Sequence, residues 1–438
     1  MRKIIAFLFI AALAAGTLWA GGKSQPSGSG TAPGKTEIRA VWWGDTKRHE
    51  LYNKIIDEFQ KANTDITVIR EPTSWADYWE KLSIQTASGA APDFLGAHPQ
   101  YAADYVSRGV YEPLDKYVSD GIITTEGWQK GILDTGRYNG IFYMVPMGVT
   151  FTSVFVNLGA FEQLGVTPPG MNWSWEDMKT IGLQLRKALD AAGRKNAWLI
   201  GDASGTINTF RYYVRQNGRE NYDAKGNVNF TLKIVEDWWT MWKEFRDLGI
   251  VPDPATSTEY ANATLEDSLF SRDMVQTIIV PVNQYKLYCT TFPNKKVGII
   301  RNPTYPGKAV GEFPEGAHFA VNGKTTEPKK LAAAKLINFW VNDRRGLALF
   351  GLDQGVPGNA SLADAYIPNL DDYQKKIVGF VEELSKIGTP TIAPPGGASE
   401  IDSLFANTAE RIQFGQMTPA QAAKEFYEKA VDIRKKAQ

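Results

Sequence analysis

The sequence predicts an α/β fold in two lobes, and three observations predict it. Strand-like and helix-like segments alternate from residue 37 to residue 108, and the same alternation restarts near residue 150. The chain also runs to 438 residues, more than a single core usually spans.

In the first half, residues 37–42 place Ile38, Ala40 and Trp42 on one side, which suits a strand with those side chains turned inward. Leu51, Ile55, Ile56 and Phe59 then share one helical face. Residues 66–69 are β-branched and read as a second strand. A helix from about residue 75 carries Tyr78, Trp79 and Leu82 and ends at Gly89. Residues 92–95 form a short strand, and 101–108 a short helix closed by Gly109. Strand, helix, strand, helix, strand is the pattern of a largely parallel sheet with helical cover.

Asn139-Gly140 between aromatic-rich flanks signals a hairpin. Residues 151–156 alternate as a new strand, and Ser174 with Asp177 three residues on makes a capping box for the next helix. Residues 197–201 read as strand and 206–216 as helix. A further helix carries Val235, Trp238, Trp239, Trp242 and Phe245, and 270–280 read as a strand re-entering a core. The tail is helical over 328–341 and 419–436. There is no repeat of 20–50 residues, which excludes solenoids and propellers.

Composition removes several function classes. The chain has 48 Lys+Arg and 48 Asp+Glu, so it lacks the basic surface that non-specific nucleic-acid binding needs. One cysteine, Cys289, allows no internal disulfide, and His49, His98 and His318 are far apart. No metal or cofactor is expected. At the N-terminus, Arg2-Lys3, an apolar run over 4–15 and the small residue Ala20 have the layout of a secretory signal peptide over 1–20. The run is shorter than a membrane span needs. Residues 21–36 are a Gly/Pro/Ser-rich flexible leader. The product is expected to be exported to the periplasm, and without a cysteine near the cleavage site it is expected to carry no lipid anchor.

The order of segments resembles a known family. VWWGDTKRHELYNKIIDEF (41–59), WADYWEKLSIQTASGAAPDFLGAHPQYAADYVSRGVYEPLD (75–115) and RYNGIFYMVPMGVTFTSVFVN (137–157) are similar to the family 1 extracellular solute-binding proteins. These are the sugar-binding components of ABC importers, and the maltodextrin-binding proteins are among them. WSWEDM (173–178), LFSRDMVQTIIVP (269–281), EGAHFAVNGKTTEPKKLAAAKLINFWVND (315–343) and AERIQFGQMTPAQAAKEF (409–426) continue the likeness across the chain. The resemblance implies a two-lobed, periplasmic-binding-protein-like fold of type II with a ligand cleft at the hinge. Crossovers are then expected near 147–150, 280–283 and 341–344. Residues 37–147 with 283–341 would form one lobe, and 151–280 with 344–438 the other.

The chemistry so implied is recognition of sugar hydroxyls by fixed polar groups and of sugar faces by aromatic rings. By position in the family pattern, Asp45 is expected to accept from hydroxyls and Trp43 to form a wall, while Trp42 packs inward. Trp75 is a second aromatic candidate; Asp77 beside it is explained by the helix dipole. Relatives carry Ala-His-Asp-Arg where this chain reads Ala97-His98-Pro99-Gln100, so His98 and Gln100 are either cleft contacts or plain loop residues. Met147 stands at the first crossover. The Gly-Pro-Trp of relatives is replaced by 280–283, leaving Asn283 or Gln284 as a polar contact. Asn208, Phe210 and Arg211 open a helix that either faces the cleft or is solvated; in the cleft, Arg211 would suit an acidic sugar. Trp238 is either aromatic surface or, with Trp239, Trp242 and Phe245, a core stripe. His318 and Asp353 lie where relatives touch ligand.

The function expected is a monomeric, non-catalytic receptor that captures a carbohydrate and delivers it to ABC transporter permease subunits. The alternatives are a secreted glycoside-acting enzyme, for which no flanking carboxylate pair stands out, and a receptor for an acidic sugar or other polar solute. An anion or metal receptor would rest on Arg211 and Arg215.

Overall fold

The computed structural model describes residues 34–437 apart from 262, 360–361 and 364–365, and leaves out the side chain at position 76. The expected signal peptide and nearly all of the leader lie outside the described residues.

The first sheet has the order β2-β1-β3-β11-β6, with β1 (Thr36–Trp43), β2 (Ile66–Thr73), β3 (Phe94–Ala97), β6 (Val145–Pro146) and β11 (His318–Val321). β1 runs parallel to both β2 and β3, and β11 is antiparallel to β3 and β6. Helix Thr46–Ala62 starts where the Asp45 side chain accepts from the Arg48 amide, and helix Trp75–Ala87 where Ser74 accepts from the Asp77 amide. The first helix packs under Trp42 through Tyr52, and the second under Trp43 through Tyr78. Both faces of β1 are therefore covered, as parallel sheets require. Trp42 is inward as expected, and Trp43 is buried too, because alternation sends it to the other covered face.

β4 (Arg137–Tyr138) and β5 (Ile141–Phe142) form the expected hairpin, with Asn139 and Gly140 both at positive φ, 50° and 82°. That pair of left-handed residues matches the twist of the strands.

The second sheet has the order β10-β7-β9-β8, with β7 (Thr152–Asn157), β8 (Trp198–Ile200), β9 (Val275–Pro281) and β10 (Val297–Ile300). The capping box of Ser174 and Asp177 opens helix Trp175–Ala191. Helix Leu232–Asp247 buries Val235, Trp238, Trp239, Trp242 and Phe245 against helices Ala398–Gln413 and Pro419–Lys436. β9 starts five residues later than expected. Ser268 and Ser271 hydroxyls donate to nearby carbonyls, at Leu265, Glu266 and Ser268, and hold the preceding segment in turns.

The chain passes between the sheets over 147–151, 301–317 and 351–356. The expected crossings near 280–283 and 341–344 do not separate the two sheets. β10 pairs antiparallel with β7, Val297 opposite Asn157, while Tyr285 and Tyr288 pack on Phe155, so 283–300 belong to the second sheet rather than with 37–147. Helix Arg344–Phe350 instead joins the first core, its Phe350 ring against Tyr52 and Trp340. The crossing segments lie side by side. Val149 exchanges backbone hydrogen bonds with Val356 at 2.7 and 2.8 Å, and Thr150 with Glu315 at 2.9 and 2.8 Å. Glycine permits this approach at Gly355, where φ is 110° and an added Cβ would stand 2.3 Å from the Val149 carbonyl oxygen.

Candidate functional site

The loops after β1 and β3 leave the carboxyl ends of parallel strands, where open α/β sheets leave a crevice. Against the second of these loops packs the Ala398–Gln413 helix, which carries the Ile207–Gln216 helix beside it, and the crossing segment around Glu315 leads into β11 next to β3.

Aromatic rings line one side. Trp43 sits at the centre of a cluster, 4.9 Å from Trp75, 5.0 Å from Tyr78 and 5.5 Å from Trp79 between ring centres. Trp79 lies against Tyr101 at 3.9 Å. Trp75 is the exposed member, 44% accessible, and its ring meets His98 edge-on at 5.8 Å. Trp43 is thus a buried support for Trp75 and not itself a wall, which corrects the expectation.

His98 caps a short turn, its Nδ1 accepting from the Gln100 amide at 3.3 Å. A neutral ring in that role carries its proton on Nε2. Burial, and then the Arg211 charge, push His98 down to about 4. The Gln100 Nε2 donates to Asp402 Oδ2 at 2.8 Å, and the Ser399 hydroxyl donates to Asp104 Oδ2. These bonds join the first core to helix Ala398–Gln413. Burial pushes the Asp402 carboxyl up to about 6, against the lowering effects of Arg211 and Gln100. Glu315, raised by burial, accepts from the Thr152 hydroxyl at 2.6 Å.

Arg211 is 8% exposed, and its guanidinium lies 5.6 Å from the centre of the Phe313 ring. Arg215 one turn on is fully engaged, donating to the carbonyls of Gly311 and Thr389 and to Glu220. Arg215 is therefore structural, which removes half of the expected anion pair.

A second polar group lies across the crossings. Arg48 Nε donates to Asp353 Oδ2 at 2.7 Å, Asn283 Nδ2 to the Asp353 carbonyl at 2.6 Å, and the Thr150 hydroxyl to Asn283 Oδ1 at 3.1 Å. Asn283 and Asp353 are thus brought together, with partners inside the protein. Asp45 is exposed beside them as the helix cap that holds the Arg48 amide.

Four expected residues are enclosed. Phe210 is buried against Phe405, Phe230 and Trp238. Trp238 is buried with its indole N–H donating to the Ser204 carbonyl. Met147 is buried below Tyr52, whose hydroxyl lies 3.9 Å from its sulfur. His318, within β11, is buried between the Gly316 carbonyl and the Thr135 hydroxyl, at 3.0 and 2.9 Å, and burial pushes it down to about 3. The helical and strand spacing around these residues serves packing, so none presents a face to a ligand. Asp402, Ser399 and Glu315 were missed. A single acid in the amphipathic run Ile401 to Phe405 carries no local signal of a partner 302 residues away.

Comparison with known proteins bears on the arrangement. Residues 54–377 match the family model of the bacterial extracellular solute-binding proteins. A Brucella abortus (strain 2308) protein named only as a binding protein is 25% identical over 400 residues, covering 89% of this chain and 91% of that one. A periplasmic oligogalacturonide-binding protein of Yersinia enterocolitica, in complex with saturated digalacturonic acid, superposes with a TM-score of 0.80 at 21% identity, over 92% of this chain and 100% of that chain. An ABC substrate-binding protein of Listeria monocytogenes in complex with cycloalternan gives 0.75 at 21% identity, over 92% and 99%. These likenesses establish a shared two-lobed fold.

Proposed function

The chain belongs to the bacterial extracellular solute-binding proteins, and from that premise we propose that it captures a carbohydrate between its two lobes and presents it to the permease of an ABC importer. The observation that carries the reading is the convergence of an exposed, buttressed Trp75, the imidazole of His98 and the Gln100–Asp402 pair at the junction of the two cores. A half-exposed indole offers a face for sugar C–H groups, and the fixed polar groups offer partners for hydroxyls. The Yersinia and Listeria proteins described with saccharide ligands support the substrate class.

The lobes are read as 36–146 with 318–350, and 152–300 with 372–436. They close about the paired crossing segments, and a ligand shifts them toward closure only by binding the closed form more tightly. Asn283, Asp353 and Asp45 sit beside those segments and extend the polar floor. The protein is read as an exported, monomeric binder without catalysis. No helix among the described residues is long and apolar enough to cross a membrane.

The test is a titration of intrinsic tryptophan fluorescence and of melting temperature against mono- and oligosaccharides. At least one saccharide is expected to shift both. Response to another solute class and to no sugar would refute the carbohydrate assignment.

A further inference from the structure

Three arginines are buried among the described residues: Arg211, Arg215 and Arg434. Arg215 is held by carbonyls and Glu220, and Arg434 donates to the carbonyls of Gly226 and Gly396. The Arg211 side chain alone of the three makes no hydrogen bond and no ion pair with the described residues. Its nitrogens are not among the sealed, unpaired polar atoms of the interior, so they open onto free space.

The groups that its charge reaches are those of the candidate site. The Arg211 charge acts on His98 of the loop after β3, on Asp402 of the Ala398–Gln413 helix, on Glu315 of the crossing segment and on Tyr222. His98 and Asp402 belong to opposite cores, so the Arg211 charge reaches both sides of the junction. A desolvated cation with no counter-charge in contact is costly, and a protein retains one where a ligand supplies the missing charge.

We propose that Arg211 reads a carboxylate on the sugar, making this a receptor for uronic-acid saccharides. The proposal rests on the carbohydrate reading above and narrows it. A planar guanidinium matches a carboxylate with two parallel N–H···O bonds and offsets its charge, whereas a hydroxyl offers one acceptor and no charge. The neighbouring acids do not fill that role. Asp402 is hydrogen-bonded by Gln100 and Glu315 by Thr152, burial raises both toward their neutral forms, and Glu220, which the Arg211 charge also reaches, is paired with Arg215.

The test is calorimetry of the full chain with galacturonate, glucuronate and mannuronate oligomers, their methyl esters, neutral oligosaccharides and a sugar sulfate. At least one uronate is expected to bind about 30- to 100-fold more tightly than its own methyl ester, the range of a buried charge-assisted pair. In Arg211→Met that ratio falls to near one while the ligand-free melting temperature holds or rises, because an unpaired buried charge has gone. Arg211→Lys keeps the charge without the fork and loses most of the ratio. Equal binding of acid and ester, or a neutral sugar binding most tightly, would overturn the carboxylate assignment and leave sugar capture standing. Tightest binding of the sulfate would overturn it in favour of another anion. Binding of no saccharide at all would remove the carbohydrate reading itself. A lower melting temperature in Arg211→Met with the ratio unchanged would make Arg211 structural.

Discussion

Gln100 and Asp402, 302 residues apart, share a 2.8 Å hydrogen bond that ties the loop after β3 to a helix of the second core. Ser399 and Asp104 make a parallel tie about one helical turn away. Together they hold the first core in contact with the Ala398–Gln413 helix of the second.

Removing this tie is expected to favour an open form. Gln100→Ala deletes a bond to a charged partner, worth about 1.5–3 kcal/mol. Solution scattering of the ligand-free variant should give a larger radius of gyration than the wild type, and sugar affinity should fall. An unchanged radius together with unchanged affinity would show that the pair plays no part in closure.

Trp75 and Trp238 should respond in opposite ways. Trp75 is 44% exposed, so Trp75→Ala should cost little stability and weaken sugar binding by about 1–2 kcal/mol through the lost ring face. Trp238→Ala opens a cavity in the second core and should cost about 3–5 kcal/mol of stability. Denaturant unfolding and fluorescence titration of both variants separate the two effects.

Local structure was largely legible in the sequence, because it is decided by near neighbours. Ser174 with Asp177, Asn139-Gly140 and the Trp238-Trp242-Phe245 spacing each state their own geometry. The assignment of 283–300 was not legible. Whether Val297–Ile300 becomes an edge strand beside β7 depends on pairing across about 140 residues, and no local pattern carries that. Trp43 misled for a different reason, since period-two alternation separates inside from outside only when one face of a sheet is bare. The site itself was half visible. Trp75, His98 and Gln100 lie on segments that the family pattern marks and Arg211 on a helix read from its own spacing, whereas Asp402 and Ser399 reach them through the packing of a helix near the C-terminus.

The crossing segments should tolerate no side chain at Gly355. With φ at 110° and the Val149 carbonyl oxygen 2.3 Å from an added Cβ, Gly355→Ala combines backbone strain with a clash. A loss of at least about 1–3 kcal/mol is expected from the backbone term alone. A melting temperature equal to that of the wild type would contradict the close packing of 149 against 355.

Acid should destabilise the protein between about pH 6.5 and pH 4. His98 and His318, ordinarily near 6.5, are pushed by burial to about 4 and about 3, so the native state favours their neutral forms. Their contribution is complete above pH 6.5 and is lost as the pH falls through that window. Asp402 opposes them. Its carboxyl is raised by burial from 3.8 to about 6, so it weakens the native state when ionised and relents as the pH falls. Near pH 5 the unfolded chain carries about two protons on the histidines, and the native chain about one on Asp402. From these three groups stability should therefore rise by about 1.4 kcal/mol per pH unit. Urea unfolding at pH 4.5, 5.5 and 6.5 measures the slope, and a fall in stability with rising pH would refute the assignment.

The most direct measurement is the crystal structure of the full chain with its tightest-binding saccharide. The sugar is expected between the lobes, one ring face on Trp75, hydroxyls near His98, Gln100 and Asp402, and a carboxylate on the Arg211 fork. Sugar density away from this junction, or a non-sugar solute occupying it, would contradict capture of a carbohydrate between the lobes.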